Sequence, residues 1–347
     1  MLSARVLNRT LLQRQLLLQR SSAEVAAVVD HLVGLQAQDT QPPYVGLWSR
    51  LPHFVPDDLT RLVESRQVSR ILLMRGTIHL VTAEDCLGLR PLLQGTLERL
   101  MRGTPFVWHC EDIAPGDLER AALDVLGPEP LDVKALGTAL AERIPGHEPG
   151  HLANTARVRL PLVQAPPRGL WKRSGGPAYV HATQWHGTPA SPIDAAELVR
   201  RYLRAFGPAT AADVTTWSGM TGIRAVLGRM KDELVTYNDA TGRTLVDLEG
   251  LPLAEADVPA PVRLLGKYDN LWLSHADRTR VSEPQKRQRW MGRNGGVGNA
   301  VFVDGMLEGL WRQDGDRVEV ELFRRLARAE RADLDAEVAA LEEFLTR

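Results

Sequence analysis

The sequence predicts a mainly α-helical α+β fold in which three winged helix-turn-helix domains follow one another and a β-rich segment closes the chain. The first observation is a pattern of helices followed by a short hairpin, which occurs three times at a spacing of roughly 80–100 residues. The second is a change after residue 255 to strands joined by Asp-Gly turns. We expect winged helices over 1–110, 111–190 and 191–255, and a β-rich segment with a closing helix over 256–347.

The first domain is predicted to open with a helix around the leucine-rich stretch Leu11–Leu18. Apolar residues recur between Val25 and Leu35 at the spacing of a buried helix face. Pro42-Pro43 forbids a long continuation of that helix, and the wing turns at Arg75-Gly76. The expected elements are helices over Ala23–Leu35 and Asp57–Glu64 and strands over Val68–Leu73 and Thr77–Thr82.

The second and third domains repeat this pattern. In the third, Gly207-Pro208 ends one helix, Thr210 caps the next, and a turn at 218–220 leads into the last. The expected elements of the second domain are helices over Asp117–Leu126, Asp132–Arg143 and His151–Val163 and strands over Gly169–Arg173 and Ala178–Thr183. Those of the third are helices over Asp194–Phe206, Ala211–Trp217 and Thr221–Lys231 and strands over Leu234–Asn238 and Arg243–Leu248.

The C-terminal segment has two strong hairpin turns, Asp304-Gly305 and Asp314-Gly315-Asp316. A sheet built around them could pack against the winged helices or project into a ligand. The expected elements are strands over Val262–Leu273, Ala300–Val303, Met306–Arg312 and Arg317–Phe323, and a closing helix over Arg331–Leu345.

The composition is that of a globular protein. The chain has 347 residues, a net charge of −1 and 44% apolar residues. No apolar run approaches the roughly 18 residues that span a bilayer, so we expect no membrane association. The Arg-rich start has the composition of a transit peptide, but its leucine pattern favours a structural helix. Only Cys86 and Cys110 are present, which favours a reducing compartment.

The near-zero net charge hides two basic regions. No acidic residue occurs between Pro149 and Ile193, although 43 of the 347 residues are acidic. A second basic block runs from Arg278 to Arg293 with Glu283 as its one acid. Such segregation favours a face that binds a polyanion over an ordinary solvated surface. Winged helices most often bind DNA, with a helix in the major groove and the wing on the backbone, although some copies could be structural scaffolds.

Two glutamines follow the second predicted helix, at Gln36 and Gln38. Residues two apart point to opposite sides of a helix but to the same side of an extended segment. If the two side chains act together, the helix must therefore end by about Gln36. The alternative is that each amide only caps the helix end or packs there.

Several motifs resemble the AlkZ/YcaQ-like winged-helix DNA glycosylases of bacteria over essentially the whole chain. The Gln36-Ala37-Gln38 run matches the Gln-x-Gln branch of the family, and the longest motif is Tyr268–Arg278. The residues that carry the resemblance are Leu7–Arg9, His31–Gln38, Arg75–Val81 and Tyr268–Arg278. The resemblance implies a C-shaped array of three winged helices with the glutamines at its mouth. It also implies excision of bulky N7-alkylated purines, including crosslinks made by DNA-alkylating natural products, as repair or self-resistance.

The chemistry of such a lesion explains why neutral amides could suffice as catalytic groups. A purine alkylated at N7 is already cationic, so it departs without being protonated. What remains is to hold a water molecule in line, and an amide can do this because its oxygen accepts and its nitrogen donates hydrogen bonds. Asp39 is the neighbouring alternative as a catalytic base, but its side chain should point opposite to that of Gln38 in an extended segment.

Other polar and aromatic residues are candidates for contacts with DNA or for a second polar site. His275 and Asp277 lie close along the chain, and either form a polar site, to which Asp39 could also belong, or orient each other structurally. Trp290 could stack on a base or belong to the core. The predicted DNA contacts are Trp171, Lys172, Arg173, Arg280, Lys286, Arg287 and Arg289.

No cofactor or metal is expected. The glycines at 295–298 lack the flanking strand of a dinucleotide fingerprint, and His147 and His151 are separated by Pro149-Gly150, so they do not form a helical zinc pair. We expect a cytoplasmic, nucleoid-associated monomer with no obligate protein partner that acts on double-stranded DNA carrying alkylated purines. The alternative is a non-catalytic winged-helix DNA-binding protein or transcriptional regulator, which would bind one undamaged sequence far more tightly than random DNA.

Overall fold

The computed structural model describes residues 1–187, 192–291 and 298–347, so the predicted contributions of Arg293 and of residues 295–297 lie outside it. Helices and antiparallel sheets alternate along the described chain, which confirms the α+β class. The helices are α1 (Ala4–Arg14), α2 (Val25–His31), α3 (Pro42–Trp48), α4 (Pro56–Glu64), α5 (Ala83–Met101), α6 (Pro105–Trp108), α7 (Asp117–Val125), α8 (Val133–Arg143), α9 (Pro149–Arg159), α10 (Ala182–His186), α11 (Ala195–Phe206), α12 (Ala211–Ser218), α13 (Ile223–Arg229), α14 (Asn270–Leu273), α15 (Pro284–Trp290) and α16 (Arg328–Thr346).

The strands of the described residues form three antiparallel sheets. The largest has six strands in the order β1-β3-β2-β5-β6-β4, and a second has four in the order β12-β11-β10-β9. β7 and β8 form a separate hairpin. The strands are β1 (Leu35–Gln36), β2 (Val68–Leu72), β3 (Ile78–Thr82), β4 (Leu131–Asp132), β5 (Leu162–Ala165), β6 (Ala178–His181), β7 (Leu234–Asn238), β8 (Thr244–Leu248), β9 (Arg263–Leu265), β10 (Asn299–Val303), β11 (Met306–Asp314) and β12 (Arg317–Leu322).

The six-stranded sheet joins the first two predicted domains. β2 pairs with β5 through Arg70 opposite Gln164 and Ile71 opposite Val163. The two predicted wings are therefore not independent hairpins, because their strands share one hydrogen-bonded sheet. This sheet gives β1, at its edge, a support that comes from both halves of residues 1–187.

The helix before the two glutamines is shorter than predicted. α2 ends at His31, and the next residues turn through Val33 at φ 53° and Gly34 at φ 86°. A Cβ atom on Gly34 would lie 2.5 Å from Cγ1 of Val81 and 2.8 Å from the backbone oxygen of Leu80. Only glycine fits this turn, and the turn is what brings the chain into β1.

A long helix that the sequence analysis missed, α5, supports the sheet from behind. Thr82 caps it by accepting a hydrogen bond from the backbone N–H of Asp85. Its Leu89, Leu93 and Leu97 are fully buried. Pro91 lies inside α5, where a proline disfavours a helix. The spacing of Leu89, Leu93 and Leu97, which places them on one face, favours the helix.

The second predicted domain needs two corrections. The helix predicted over His151–Val163 ends at Arg159, because Pro161 has no backbone N–H to continue it. Leu162–Ala165 then forms the strand β5, which pairs with β6. The predicted strand Gly169–Arg173 is instead part of the connection between them.

The third predicted domain has the expected elements. Thr210 and Asp213 form a reciprocal capping box at α12, and Gly219 at φ 80° ends that helix. Tyr202, Phe206 and Trp217 pack together in its core, with ring centroids 5.1–5.4 Å apart. The helices α11 to α13 and the hairpin β7–β8 agree with the predicted order, with bounds shifted by one or two residues.

The C-terminal segment also needs one correction. The predicted strand Val262–Leu273 is the short strand β9 followed by the helix α14, because Tyr268 adopts φ 60° and Asp269 caps α14. The closing helix α16 packs against the first predicted domain, where Phe344 contacts Trp48 and Phe54 at 5.9 Å between ring centroids. None of the helices in residues 1–187, 192–291 and 298–347 is long and apolar enough to cross a membrane.

Candidate active site

Gln36 and Gln38 lie at the edge of the six-stranded sheet. Gln36 pairs with His79 of β3, and the backbone N–H of Ala37 donates to the oxygen of Ile78 at 2.7 Å. Leu35 and Ala37 are buried in the apolar core, so the alternation of an extended segment directs the two glutamines to the other face. Gln36 is 7% exposed, whereas Gln38 is exposed.

Arg75, in the turn between β2 and β3, holds the side chain of Gln36. Its Nη2 donates to Oε1 of Gln36 at 2.8 Å and lies 3.1 Å from Nε2 of His79. Its Nη1 donates to the backbone oxygen of Trp217 in α12. Arg75 sits at φ 58°, a left-handed conformation that a non-glycine residue adopts only under constraint. Burial, with the nearby charge of Arg278, lowers the pKa of Arg75 to about 10, so its guanidinium remains charged at neutral pH.

His79 is neutral in this arrangement. Burial, followed by the charge of Arg75, lowers the pKa of His79 to about 3. Its Nδ1 lies 3.0 Å from the oxygen of Thr77, which can only accept, so Nδ1 carries the proton and Nε2 accepts from Arg75. The tautomer of His79 is thereby fixed by its two neighbours.

The long motif Tyr268–Arg278 supports the turn that precedes Gln36. Nδ2 of Asn270 donates to the backbone oxygens of Gly34 at 2.8 Å and Leu32 at 3.3 Å. Asp269 accepts two hydrogen bonds from the buried guanidinium of Arg50 at 2.8 and 2.9 Å. This role of Asn270 and Asp269 was not predicted from the sequence, where the only signal was a run of polar residues within an apolar motif.

A cavity of about 610 Å³ opens beside Gln38. Asp39 lines the same cavity as Gln38. The chain bends from residue 38 onward and does not stay extended, so the alternation expected of an extended segment does not apply there. Nζ of Lys267 lies 3.5 Å from Oδ2 of Asp39. Other residues lining the cavity are Arg168, Trp171, Lys172, Asn299 and Trp311.

Two of the predicted DNA contacts border this cavity. Trp171 lies between Tyr44 and Phe344, at 5.0 and 5.1 Å between ring centroids, and its indole N–H donates to the backbone oxygen of Arg347 at 2.8 Å. The ammonium of Lys172 lies 5.7 Å from the centre of the Trp171 ring. Arg173 follows and is exposed. The fold therefore places cationic side chains next to the glutamines, from a segment more than 130 residues away along the chain.

The second basic block is less available than predicted. Arg280 is only 6% exposed, and its guanidinium faces the interior, so a contact with phosphate is excluded for it in this conformation. Lys286 on α15 is held by Glu283 at 3.2 Å and Glu308 at 2.8 Å. Arg289 is exposed and pairs with Glu321 at 2.5 Å, and Arg287 is half-buried on the same helix.

The remaining candidates belong to the scaffold. His275 is 3% exposed with Nδ1 2.8 Å from Oγ of Ser274, and burial lowers its pKa to about 3. Asp277 pairs with Arg243 at 2.5 Å, and Asp39 lies in the separate environment of the cavity. Trp290 is buried against Trp272, with 4.2 Å between ring centroids, and donates to the oxygen of Gly298.

Residues 1–187, 192–291 and 298–347 hold no group of three or more His, Cys, Asp or Glu side chains arranged to bind a metal ion. Cys86 and Cys110 are both buried and free, and burial raises the pKa of the Cys86 thiol to about 12.

Comparisons with known proteins agree on one family. Residues 29–344 match the model of the family described as DNA glycosylase AlkZ-like. The interstrand DNA cross-link repair glycosylase of Streptomyces sahachiroi is 25% identical over 323 residues, which cover 86% of this chain and 85% of that protein. The solved structure of Streptomyces sahachiroi DNA glycosylase AlkZ has a TM-score of 0.83 at 22% identity, over 99% of this chain and 97% of its own. This last likeness shows a shared fold.

Proposed function

Because the chain belongs to the AlkZ-like DNA glycosylase family, we propose that it is a monofunctional DNA glycosylase that hydrolyses the N-glycosidic bond of N7-alkylated purines in double-stranded DNA. The proposed substrates include bulky adducts and interstrand crosslinks left by DNA-alkylating natural products, so that excision serves repair or self-resistance. The name of the Streptomyces sahachiroi relative supports the crosslink as a substrate.

The observation that carries the proposal is the pair Gln36 and Gln38, of which Gln36 is held in β1 and Gln38 lines a cavity that also contains Arg168, Lys172 and Lys267. Both side chains are uncharged; the neighbours of Gln36 are the charged Arg75 and the neutral His79, and Gln38 accepts from the backbone N–H of Ile78. Such a site supplies no general acid, which matches a lesion whose base already carries a positive charge. It also keeps a carboxylate out of the first contacts of Gln36.

In the proposed reaction the bond between C1′ and N9 of the purine breaks, and its electron pair neutralises the alkylated ring. The oxygen of a water molecule bonds to C1′, and the proton of that water passes to bulk solvent. Gln36 and Gln38 contribute by orienting the reactants. Orientation alone can lower a reaction barrier by several kcal/mol, and by about 7–11 kcal/mol in the best intramolecular cases.

DNA is proposed to lie along a concave surface formed by three winged helices, with the glutamines at its mouth. Lys172, Arg173, Arg287 and Arg289 are the proposed phosphate contacts that are exposed or half-buried. The indole N–H of Trp171 donates to the backbone oxygen of Arg347, and we propose that the Trp171 ring forms the edge of the cavity that contacts the lesion. A bulky adduct or a crosslinked base cannot be flipped freely into a tight pocket, whereas an open cavity of about 610 Å³ leaves room for the substituent.

The test is an excision assay on two duplexes, one with a single N7-methylguanine and one with a bulky N7-alkylguanine. We expect release of the free modified base and an abasic strand that is cleaved only after alkaline treatment. Cleavage without alkali would contradict a monofunctional reaction. The matched control is the Gln36→Ala/Gln38→Ala double variant, which corrects for spontaneous depurination.

The same assay separates the enzyme from a DNA-binding regulator. A regulator binds one undamaged sequence at least about 10³-fold more tightly than random duplex and releases no base. That result on both duplexes would replace the proposed function with the regulatory one.

A further inference from the structure

The side-chain oxygens of both glutamines are already occupied by groups that can only donate. Oε1 of Gln36 accepts from the guanidinium of Arg75 at 2.8 Å, and Oε1 of Gln38 accepts from the backbone N–H of Ile78 at 3.2 Å. The guanidinium of Arg75 and the backbone N–H of Ile78 can only donate, so neither glutamine amide can be flipped without losing its hydrogen bond. Each NH₂ group therefore remains to donate elsewhere.

We propose that Gln36 acts as a hydrogen-bond donor to the departing purine and that Arg75 is the positioning residue that sets this polarity. This inference rests on the proposed glycosylase function. It divides the work of the two glutamines: the buried, locked Gln36 serves the leaving base, and the exposed Gln38 is left for the water.

The direction of charge flow favours a donor at the leaving base. As the bond between C1′ and N9 breaks, electron density moves into the purine and its ring nitrogen and exocyclic oxygen become better acceptors. A donor that strengthens its hydrogen bond during this step stabilises the transition state more than the ground state. The attacking water, by contrast, needs an acceptor for its O–H, which the second lone pair of Oε1 of Gln38 can supply.

Arg75 is suited to this positioning role because it is fixed at several points. One nitrogen is shared between Gln36 and the neutral Nε2 of His79, and the other binds the oxygen of Trp217. The link to Trp217 ties the orientation of Gln36 to α12, which belongs to the third predicted domain. A charged partner on the oxygen also polarises the amide and makes its N–H a stronger donor.

Gln36→Glu separates a donor from an acceptor. The glutamate retains an oxygen for Arg75, so the fold is preserved, but it presents only an acceptor to the substrate. We expect its single-turnover rate on N7-methylguanine to fall about 100-fold, the loss typical of one transition-state donor, with duplex binding unchanged. The fall should be smaller for an N7-alkylguanine whose alkyl group withdraws electrons, because that base leaves more easily. A purely structural defect would slow both substrates equally.

Arg75→Met tests the positioning role, with Arg99→Met as its matched control. Arg99 also binds a backbone oxygen of the same turn, that of Gly219, but does not contact Gln36. We expect Arg75→Met to lower kcat about 10-fold or more with little change in duplex affinity, and Arg99→Met to retain the wild-type rate.

A Gln36→Glu enzyme as fast as wild type, or an equal slowing on both substrates, would overturn the inference while leaving the proposed function intact. Failure of the wild-type enzyme to excise either base would overturn both.

Discussion

At the scale of single residues, the site is defined by which groups are charged. Arg75 keeps its charge with a pKa near 10, and His79 stays neutral with a pKa near 3, because both are buried beside one another. Gln36 accepts a hydrogen bond from Arg75, an obligate donor, and has no titratable group. The candidate site around Gln36, Arg75 and His79 thus contains no group that changes its charge near neutral pH.

The rate of base excision should therefore be nearly independent of pH. With enzyme in excess, we expect the single-turnover rate on N7-methylguanine to vary by no more than about threefold between about pH 5.5 and pH 8.5, since no general acid or base is required. The measurement is a quench series across that range, with the uncatalysed loss subtracted. A rate that changes more than about tenfold across that range would contradict a site without a titrating catalytic group.

At the scale of elements, the geometry of the site depends on the turn between α2 and β1. Gly34 allows the turn at φ 86°, and Asn270 fixes it by donating to the oxygen of Gly34. β1 then continues the sheet for only two residues before the chain bends. Gln36 is therefore the last paired residue of β1 and is buried, whereas Gln38 lies beyond the regular pairing and is exposed.

Gly34→Ala should be strongly destabilising. The added Cβ would be forced against the backbone oxygen of Leu80 at a left-handed φ, and we expect a loss of about 2 kcal/mol or more in the free energy of unfolding. Gly95→Ala is the matched control, since Gly95 lies in α5 with nothing within 4 Å of the new Cβ. That variant should gain about 0.5–1 kcal/mol. Urea unfolding measures both, and equal stability of the two variants would refute this role for Gly34.

Local signals predicted most of these elements and failed where tertiary contacts decide. Caps such as Thr210 and breakers such as Pro208 located the third domain's helices to within one or two residues. The strand β5 was predicted as the end of a helix that stops before Pro161, and α5, which contains Pro91, was not predicted. The pairing of β2 with β5 could not be predicted, because it joins residues more than 90 positions apart.

The candidate site, too, was predicted in part from local signals and in part depends on tertiary contacts. An extended segment was expected if Gln36 and Gln38 act together, and the structure has the short strand β1 followed by a bend from residue 38. The guanidinium of Arg75, the cavity walls and the burial of Arg280 come from distant parts of the chain, so composition alone could not assign them. Arg280 shows the limit clearly, because a basic residue in a basic block was expected at the surface and lies in the core.

At the scale of the whole molecule, buried charges and buried histidines tie the segments together. Arg50 of the first segment and Asp269 of the last form a buried pair, and Arg75 reaches α12. His275 lies buried near Asp213 and Arg280, where its pKa is lowered to about 3. These contacts draw the support of the candidate site from several distant segments of the described chain.

The buried histidines should make the protein sensitive to acid. A folded-state pKa near 3 lies below the ordinary value of about 6.5, so the stability associated with His275 is complete above about pH 6.5 and is lost as the pH falls toward 3. Between about pH 7.5 and pH 5 this loss is about 2 kcal/mol for one such histidine. His275→Gln should therefore lose less stability over that interval than wild type, while His53→Gln, an exposed site, should not differ. Urea unfolding at both pH values is the measurement, and identical losses in all three proteins would contradict this assignment.

The central claim is that a pair of neutral amides, and not a carboxylate, carries out base excision. Single-turnover excision of N7-methylguanine from a duplex by Gln38→Ala, Gln36→Ala and Asp39→Asn tests it most directly. The glutamine variants should each be slowed about 100-fold and Asp39→Asn should remain within about threefold of wild type. A Gln38→Ala enzyme with the full rate, beside an inactive Asp39→Asn enzyme, would contradict the claim.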